Sequence, residues 1–398
     1  MSIAIPSTPA HPDMGHEPIR VMVVDDAVVV RGLLARWIET ESGLRMVASV
    51  RSGREAIEQL ERANPDVVIL DVDMPDTDGI TALPRLLEKK RDLVIIMAST
   101  LTRRNAEISL RALALGAADY IPKPETTREI TTSAAFRREL IEKIKALGLR
   151  CKRRAAEARP PIAEPPAAPR QPRDGEPALR QVASPTLVPA AEHSGLKLRP
   201  FPAMPPRVLL IGSSTGGPQA LNALLGRING VIDQAPVLVV QHMPPTFTSI
   251  LAEHMARASG RPAKEAVHGD EVRAGQIYVA PGGRHMRVIR RNGNPVIQID
   301  DGPLINFCKP AVDPLFSSAA NVWGGKNLGL ILTGMGSDGT LGAADLVAAG
   351  GAVIAQDEET SVVWGMPGSV AQAGHCSAVL PLQDIAPRIV RLFSGGRT

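Results

Sequence analysis

The sequence predicts two α/β domains, each built around a parallel sheet, joined by a proline-rich linker. A chain of 398 residues is too long for one ordinary core. In both halves short apolar runs alternate with helical patterns, which is typical of parallel sheets covered by helices. Between the halves, residues 151–206 hold 13 of the 35 prolines and few large apolar side chains. We therefore expect a disordered tether there.

Charge and composition exclude several function classes. The formal net charge is +4, but residues 151–206 alone carry nine Lys/Arg and five Asp/Glu, so the positive excess belongs to the linker. No nucleic-acid surface is expected. No run approaches the roughly 18 uncharged apolar residues of a membrane span, so we expect no membrane insertion. The amino terminus shows no secretory signal and the three cysteines are scattered, which together predict a cytoplasmic protein without a disulfide framework or a zinc site.

In the first half, five strands alternate with five helices and predict a (βα)5 domain over residues 18–145, after a disordered tail over 1–17. The strands lie in IRVMVVDD, MVASV, DVVILDVDMP, LVIIMAST and ADYIPKP. The helices lie in VVVRGLLARWIETE, GREAIEQLERANP, GITALPRLLEKKR, AEISLRALALG and roughly SAAFRRELIEKIKAL. The linker is expected over 146–206.

Polar side chains follow several of these strands, at the edge of the sheet where ligands bind in open α/β folds. Clustered carboxylates repel one another unless a cation binds, and Mg²⁺ prefers such oxygen ligands. A lysine and a hydroxyl beside them suit an added phosphoryl group. Any one aspartate is more often a turn or cap residue, so the prediction depends on the whole set: Asp25, Asp26, Asp71, Asp73, Ser99 and Lys123.

These residues make the first half similar to a response-regulator receiver domain over about 18–145. The resemblance implies that a histidine kinase donates a phosphoryl group to Asp71, with Mg²⁺ as cofactor. It implies that Asp26, Asp71 and the backbone carbonyl of Asp73 hold the ion. Asp25 would act near the ion or through water.

Three further positions match the receiver pattern. The resemblance implies that Ser99 and Lys123 contact the phosphoryl group and that Tyr120 is the aromatic switch residue. A receiver reports a phosphorylation state, so the output has to be sought in the second half.

After the linker the alternation resumes and predicts a doubly wound α/β domain over residues 207–398. Its strands lie in RVLLIGSS, APVLVVQHM, GQIYVAP, NLGLILTGMG and AVIAQD. Its helices lie in GPQALNALLGRI, FTSILAEHMARAS and GTLGAADLVAAGG. Some of these strands are of uncertain direction.

The stretch VLLIGSSTGG predicts a strand that ends in a tight turn before a helix. Such a turn either cradles a phosphate on backbone N–H groups or presents a nucleophilic serine. The glycine spacing does not fit a dinucleotide fingerprint, and the next strand ends in Gln241-His242 where an acidic residue is needed. No lysine follows the glycines, so a phosphate-gripping loop is also disfavoured.

A nucleophilic serine needs a base within hydrogen-bond reach and a group that orients the base. Ser214, His242 and Asp338 each follow an apolar strand, where their side chains can converge. Ser213 is a rival nucleophile, because spacing does not show which hydroxyl faces the histidine. A lone histidine is more often structural, and Asp338 would serve equally as a helix cap.

Backbone N–H groups near Thr215 and Met335 are the tentative candidates for stabilising a tetrahedral oxyanion. Both residues lie in glycine-containing turns, at IGSSTGG and LTGMGSDG. Flanking glycines allow backbone N–H groups to point toward a substrate.

The motifs IGSSTGG, QHMPP, YVAPGGRHM, LTGMGSDG and VVWGMP resemble the catalytic domain of the chemotaxis protein-glutamate methylesterases (CheB) over about 206–395. The resemblance places the family's triad on Ser214, His242 and Asp338. It implies hydrolysis of glutamate methyl esters and deamidation of glutamines on chemotaxis receptors, without a cofactor for the ester reaction. It also implies a receiver–esterase interface that phosphorylation opens.

Two positions depart from the family pattern: Ser213 stands where alanine is usual, and Lys309 stands where an arginine commonly precedes the proline. A different class of function remains open, namely a phosphorylation-controlled adaptor whose second domain binds without catalysis. A receiver that drives transcription is disfavoured, because the second half shows no helix-turn-helix pattern or basic face.

Overall fold

The computed structural model describes residues 17–124, 130, 133–157 and 195–396. The predicted tail over 1–17 and linker over 146–206 lie largely outside these ranges, so their disorder stays a prediction. Within the described ranges the strands form two parallel sheets and one antiparallel pair.

The first domain is a five-stranded parallel sheet in the order β2-β1-β3-β4-β5, which confirms the predicted (βα)5 fold. Strand β3 is buried along its whole length, as expected of a strand covered on both faces. The strands are β1 (Ile19–Val24), β2 (Leu44–Val50), β3 (Val67–Asp71), β4 (Val94–Thr100) and β5 (Asp119–Lys123). The helices are α1 (Val28–Glu39), α2 (Gly53–Ala63), α3 (Gly79–Lys89), α4 (Arg103–Ala114) and α5 (Ala134–Glu157).

Helix α5 is longer than the sequence pattern predicts. We expected it to end near Leu147 and the linker to begin at 146, but the helix continues to Glu157. Ile144, Leu147 and Cys151 are buried and recur at the three- and four-residue spacing of one helix face. This buried stripe carries the helix into the segment assigned to the linker.

The second domain is a seven-stranded parallel sheet in the order β14-β13-β12-β6-β7-β9-β8, which confirms the predicted α/β class. Its strands are β6 (Val208–Ser213), β7 (Val237–Gln241), β8 (Ala263–Glu265), β9 (Ile277–Val279), β12 (Asn327–Ile331), β13 (Ala352–Gln356) and β14 (Ala378–Leu380). The antiparallel pair is β10 (His285–Arg291) and β11 (Asn294–Asp300). The helices are α6 (Gly217–Leu225), α7 (Asn229–Gln234), α8 (Phe247–Ser259), α9 (Val312–Trp323), α10 (Thr340–Ala348), α11 (Met366–Gln372) and α12 (Leu382–Phe393).

The strand order of the second sheet creates a crevice beside β6. Strand β6 pairs with β7 on one side and with β12 on the other. Because chain order reverses at β6, the turns after β6, β7 and β12 meet at a topological switch point. These are the turns that carry the three predicted triad residues.

The two domains are in contact. Arg103 of α4 pairs with Glu253 of α8 at 2.9 Å, and Arg153 of α5 pairs with Glu358 at 3.0 Å. All four side chains are largely exposed, so these ion pairs contribute little stability. The interface also has buried parts, because one cluster of buried apolar side chains includes residues of both domains. Among the described helices, none combines the length and apolar character needed to span a bilayer.

Two glycines of the first domain, Gly79 at the start of α3 and Gly32 within α1, should respond oppositely to substitution by alanine. A Cβ at Gly79 would lie 2.0 Å from the backbone oxygen of Asp71, and backbone cannot rotate away. We expect Gly79→Ala to lower the free energy of unfolding by about 1–3 kcal/mol. Gly32 in α1 has open space around it, so Gly32→Ala should raise stability by about 0.5–1 kcal/mol. Chemical denaturation of the full chain tests both signs, and equal effects would contradict the close approach at Gly79.

Candidate active site

The two adjacent serines after β6 have different surroundings. Ser213 is fully buried, and its hydroxyl donates to the amide oxygen of Gln241 at 2.7 Å. Ser214 lines a cavity instead. The amide nitrogen of Gln241 donates to the backbone carbonyl of Ser214 at 2.9 Å. Gln241 therefore holds the turn so that the side chain of Ser214, rather than that of Ser213, borders the cavity.

The turn after Ser214 leads directly into α6. The N–H of Gly217 donates to the carbonyl of Ser214 at 2.8 Å. A Cβ on Gly217 would lie 2.0 Å from the amide oxygen of Gln241, so this close approach requires glycine. The positive end of the α6 dipole lies beside Ser214 and favours negative charge there.

His242, after β7, is bonded to Asp338, after β12. The distance from Nε2 of His242 to Oδ2 of Asp338 is 2.7 Å. Because an ionised carboxylate only accepts hydrogen bonds, Nε2 carries a hydrogen, and Nδ1 has a free lone pair whenever the ring is neutral. The pair therefore presents Nδ1 as the proton acceptor.

Backbone amides hold the carboxylate of Asp338, which is only 1% exposed. The N–H groups of Val312 and Asp313, at the start of α9, donate to it at 2.6 and 3.2 Å, and that of Gly339 donates at 2.9 Å. Burial raises the pKa of Asp338, but the hydrogen bond from His242 and those from the amides outweigh burial and lower it. Asp338 thus accepts from the start of α9, whereas α10, the helix that follows it, begins after Gly339 without a side-chain cap bond. The same carboxylate also orients the histidine.

The other ring nitrogen of His242 faces a thiol. Sγ of Cys308 lies 3.3 Å from Nδ1 of His242. Burial alone lowers the pKa of His242, but Cys308 and Asp338 outweigh burial and raise it to about 10. Within the described residues no hydrogen bond joins the hydroxyl of Ser214 to His242. The structure therefore joins His242 to Asp338 and leaves Ser214 beside them, unpaired, in the same cavity.

The two tentative oxyanion donors border this cavity. Thr215 and Met335 both line it. Their backbone N–H groups donate to no acceptor in the part of the chain that the structure describes. Both donors are thus positioned for a substrate oxygen, and the oxyanion role itself stays a prediction.

The cavity around Ser214 lies between the domains and has a volume of about 540 Å³. We call it the Ser214 cavity. Lys309 also lines it and pairs with Asp301 at 2.7 Å. One wall comes from the first domain: Asp119, Tyr120, Pro122, Ala135, Arg138, Glu139, Glu142 and Lys143.

A buried hydrogen-bond network links this wall to the turn of Ser214. The hydroxyl of Thr215 donates to Oδ2 of Asp119 at 2.9 Å. Nζ of Lys143 pairs with the same carboxylate at 2.9 Å and donates to the carbonyl of Tyr120 at 2.6 Å. Burial lowers the pKa of Lys143, but Asp119 and Glu139 outweigh burial and raise it, so the ammonium stays charged.

The predicted switch residue Tyr120 also lies in the interface. Its ring stacks on that of Phe247, with centroids 4.8 Å apart and an interplanar angle of 12°. Phe247 is fully buried and Tyr120 nearly so. Burial and the nearby Asp119 raise the pKa of the Tyr120 phenol. The aromatic contact therefore belongs to the closed arrangement of the two domains.

At the sheet edge of the first domain, Lys123 lies between two carboxylates. Its Nζ is 2.7 Å from Oδ1 of Asp71 and 3.1 Å from Oδ2 of Asp25. The pKa of Asp71 is raised to about 6. Burial, the largest cause, and the nearby Asp25 raise this pKa and together outweigh Lys123, which lowers it. Carboxylate oxygens of Asp25, Asp26 and Asp71 lie within 4.8 Å of one another. This donor set fits a hard divalent cation such as Mg²⁺.

The side chains of two other predicted residues make hydrogen bonds away from this carboxylate cluster. The hydroxyl of Ser99 is paired with that of Ser109 on α4 at 2.8 Å, so the structure turns it into the helix packing. The side chain of Asp73 accepts from the amide of Asn105 at 2.9 Å, which leaves only its backbone carbonyl for the predicted role.

Sequence reasoning missed three residues that organise the site, namely Gln241, Cys308 and Asp119. In the sequence, Gln241 stands out only as a mismatch to a dinucleotide-binding motif. Cys308 lies in a loop whose distance from His242 no local pattern shows. Asp119 lies in the first domain, and the residue that donates to it, Thr215, lies in the second.

The fold and site define a class: a receiver-type (βα)5 domain closed over the switch point of a second parallel sheet that carries a Ser, a His and an Asp. Residues 21–135 match the response regulator receiver domain and residues 209–389 match CheB methylesterase. The chain belongs to the CheB family of response-regulator methylesterases.

Relatives cover both domains. Over 398 residues, all of both chains, the protein is 59% identical to the protein-glutamate methylesterase/protein-glutamine glutaminase of group 2 operon of Rhodopseudomonas palustris. It is 61% identical, over 383 residues and 96% of each chain, to the protein of the same name from Bradyrhizobium diazoefficiens. The crystal structure of the Thermotoga maritima CheB methylesterase catalytic domain is 42% identical, with a TM-score of 0.46, and covers 47% of this chain and 98% of that chain.

We expect the Thr215–Asp119 hydrogen bond to contribute to the free energy of domain closure. Thr215→Val keeps the side-chain shape but removes the hydrogen bond, and we expect it to weaken closure by about 1–2 kcal/mol. Hydrogen–deuterium exchange of the full chain should then rise in residues 115–120. Thr340→Val, which removes a bond to Ser369 inside the second domain, is the control and should leave that exchange unchanged. Equal exchange in both variants would contradict the role of Thr215 in closure.

Proposed function

We propose that this protein is a phosphorylation-controlled serine esterase. It hydrolyses methyl esters of glutamate side chains on chemotaxis receptors and deamidates glutamines there. The observation that carries the proposal is the Ser214 cavity, in which His242, backed by Asp338, borders the same space as Ser214 under a wall from the receiver domain. The names of the relatives at 59% and 61% identity support the substrate class.

In the proposed reaction, the Ser214 oxygen attacks the ester carbonyl while Nδ1 of His242 takes the hydroxyl proton. Asp338 stabilises the imidazolium that forms, through the hydrogen bond at Nε2. The tetrahedral oxyanion accepts hydrogen bonds from the N–H groups of Thr215 and Met335.

The tetrahedral adduct then collapses. The His242 imidazolium returns the proton to the leaving methoxy oxygen, and methanol departs. Water repeats the sequence on the acyl-enzyme, with His242 as base, and releases the glutamate carboxylate. A glutamine side chain enters the same sequence with ammonia as the leaving group, because both substrates are acyl compounds with the same carbonyl geometry.

Phosphorylation would occur at Asp71, with a histidine kinase as donor. Bound Mg²⁺ would supply charge neutralisation at the phosphoryl group, held by Asp26, Asp71 and the backbone carbonyl of Asp73, with Asp25 close by. Asp71 supplies the attacking oxygen. Lys123, already 2.7 Å from Asp71, pairs with the phosphoryl oxygens, and Ser99 joins them by rotating away from Ser109.

Control follows from the position of the receiver wall. In the structure this wall narrows the Ser214 cavity, and the Thr215–Asp119 bond reaches the residue next to the nucleophile. A receptor segment has to enter the cavity, so the closed arrangement is the less active one. Phosphorylation shifts the population toward open forms by disfavouring these contacts.

The two serines give a direct test of the nucleophile. Ser214→Ala should lower methanol release from methylated receptors by about 10³-fold or more, because the attacking oxygen is lost. Ser213→Ala removes only the bond to Gln241 and should stay within about tenfold of wild type. A fluorophosphonate probe should label the Ser213→Ala variant and not the Ser214→Ala variant. The opposite labelling pattern would show that the nucleophile is misassigned.

The raised pKa of Asp71 predicts a pH dependence. The ionised carboxylate is the nucleophile, so phosphorylation by a small phosphodonor at limiting Mg²⁺ should fall as pH drops below about 6. Saturating Mg²⁺ favours the charged form and should move this fall to lower pH. Quantifying phosphorylated protein between pH 5 and 8 tests this, with Asp71→Asn as the unphosphorylated control. A rate that is flat across this range at limiting Mg²⁺ would contradict it.

A further inference from the structure

A tight turn over Ile305–Cys308 delivers the thiol to the catalytic histidine. The backbones of Ile305 and Cys308 exchange two hydrogen bonds, N–H to O at 3.1 Å and 2.8 Å. We call this segment the 305–308 turn. Its last residue places Sγ 3.3 Å from Nδ1 of His242. Nδ1 is the atom that has to accept the Ser214 proton in the proposed reaction.

The 305–308 turn is held in a conformation that its sequence does not favour. Its two central residues, Asn306 and Phe307, have φ values of 49° and 63°, in the left-handed region. Hairpin turns with two such residues ordinarily use Asn-Gly, because a side chain at the second position is strained there. Asn306 tolerates the conformation and Phe307 does not. Rearrangement would therefore lower the free energy of the turn unless another contact stabilises this conformation.

The receiver domain supplies such a contact. The guanidinium of Arg138, on α5, lies 4.0 Å from the centroid of the Phe307 ring. The Phe307 side chain is otherwise one of the most exposed apolar groups in the structure, at 73%. A cation over an aromatic face is attractive, so closure of the domains favours the strained turn.

We propose that the 305–308 turn is a latch on the catalytic base. Arg138 holds the turn, and the turn holds the Cys308 thiol against Nδ1 of His242, where the Ser214 hydroxyl has to bind. Cys308 is thus a positioning residue that keeps the serine and histidine apart in the closed form. When the receiver domain withdraws, Arg138 leaves Phe307, the turn relaxes and Nδ1 becomes free.

This latch rests on the proposed function, since it assigns Nδ1 of His242 as the base for Ser214. It differs from blockage of the cavity by the receiver wall. Blockage acts on substrate entry, whereas the latch acts on the protonation and pairing of His242. The two effects therefore separate in the pH profile.

The test measures methanol release from methylated receptor fragments by the full chain, without phosphodonor. Cys308→Ala should raise this basal kcat roughly fivefold, the size of one hydrogen bond lost from the closed form. Cys308→Ser, whose hydroxyl can still donate to Nδ1, should remain near wild type. With a small phosphodonor, all three proteins should reach similar rates. The cysteine lies on a partly exposed turn, and circular dichroism verifies that each variant is folded.

A double-mutant comparison tests the link to Arg138. Arg138→Ala should raise basal activity roughly two- to fivefold in wild type, and should add nothing once Cys308→Ala is present. Arg153→Ala is the matched control: it lies on the same helix and removes an ion pair to Glu358 across the same interface. Arg153→Ala should change basal activity by the same factor in the wild type and in the Cys308→Ala variant.

The pH profile provides a readout that a merely structural role would not move. His242 works as a base only when deprotonated, so basal activity rises as pH passes through its pKa. Cys308 raises the pKa of His242 by an electrostatic contribution that neither a methyl group nor a neutral hydroxyl can make, so Cys308→Ala and Cys308→Ser should both shift this rise to lower pH, while only Cys308→Ala raises the basal rate. Asp313 lies behind Asp338, and the Cys308 variants leave the charged groups lining the cavity unchanged: Asp119, Arg138, Glu139, Glu142, Lys143 and Lys309.

The outcomes distinguish the latch from the proposed function. If Ser214→Ala is inactive but Cys308→Ala leaves basal rate and pH profile unchanged, the latch is wrong and the esterase stands. Additive effects of Arg138→Ala and Cys308→Ala would also overturn the latch. If Ser214→Ala keeps its activity and Cys308→Ala loses it, the thiol is the nucleophile, and the latch and the serine assignment both fall.

Discussion

The hydrogen bond between His242 and Asp338 is the interaction on which the candidate active site depends. It spans two turns that follow different strands, and it fixes which ring nitrogen accepts a proton. A buried carboxylate without partners would be costly, so the bond is sustained only because amides at the start of α9 also solvate Asp338. The strand order therefore brings the two turns together, and the amides at the start of α9 stabilise the buried charge of Asp338. That charge in turn fixes the tautomer of His242.

Strand β5 carries the connection between the two sites of the protein. Its last residue, Lys123, contacts Asp71, and its first residue, Asp119, contacts Thr215 beside Ser214. Tyr120 lies next to Asp119 and stacks on Phe247 of the second domain. The five residues of β5 therefore join the carboxylate cluster of the first domain to the interface with the second. Lys143 pairs with Asp119 at the same end of the strand.

Periodicity predicted both sheets, and strand-end chemistry placed the candidate residues together at one edge of each sheet, because parallel strands end at the same edge whatever the connecting loops do. The prediction was wrong where a local signal was weak. The buried stripe of α5 continues through Cys151 into a segment whose proline content suggested a linker. Strands β8 and β14 are too short for a periodic pattern. The roles of Cys308 and Asp119 arise from distances between segments far apart in the chain, which single-sequence reasoning does not measure.

Closure of the domains depends on several weak contacts, and this is what makes it switchable. A hundredfold difference between closed and open forms corresponds to about 2.7 kcal/mol. One buried hydrogen bond, one aromatic stack and one cation–π contact contribute about 1, 1 and 0.5–1 kcal/mol. Thr215, Phe247 and Phe307 supply one of each against the receiver domain. Loss of any two of these contacts would remove most of a difference of that size, and all three are made by residues of β5 or α5.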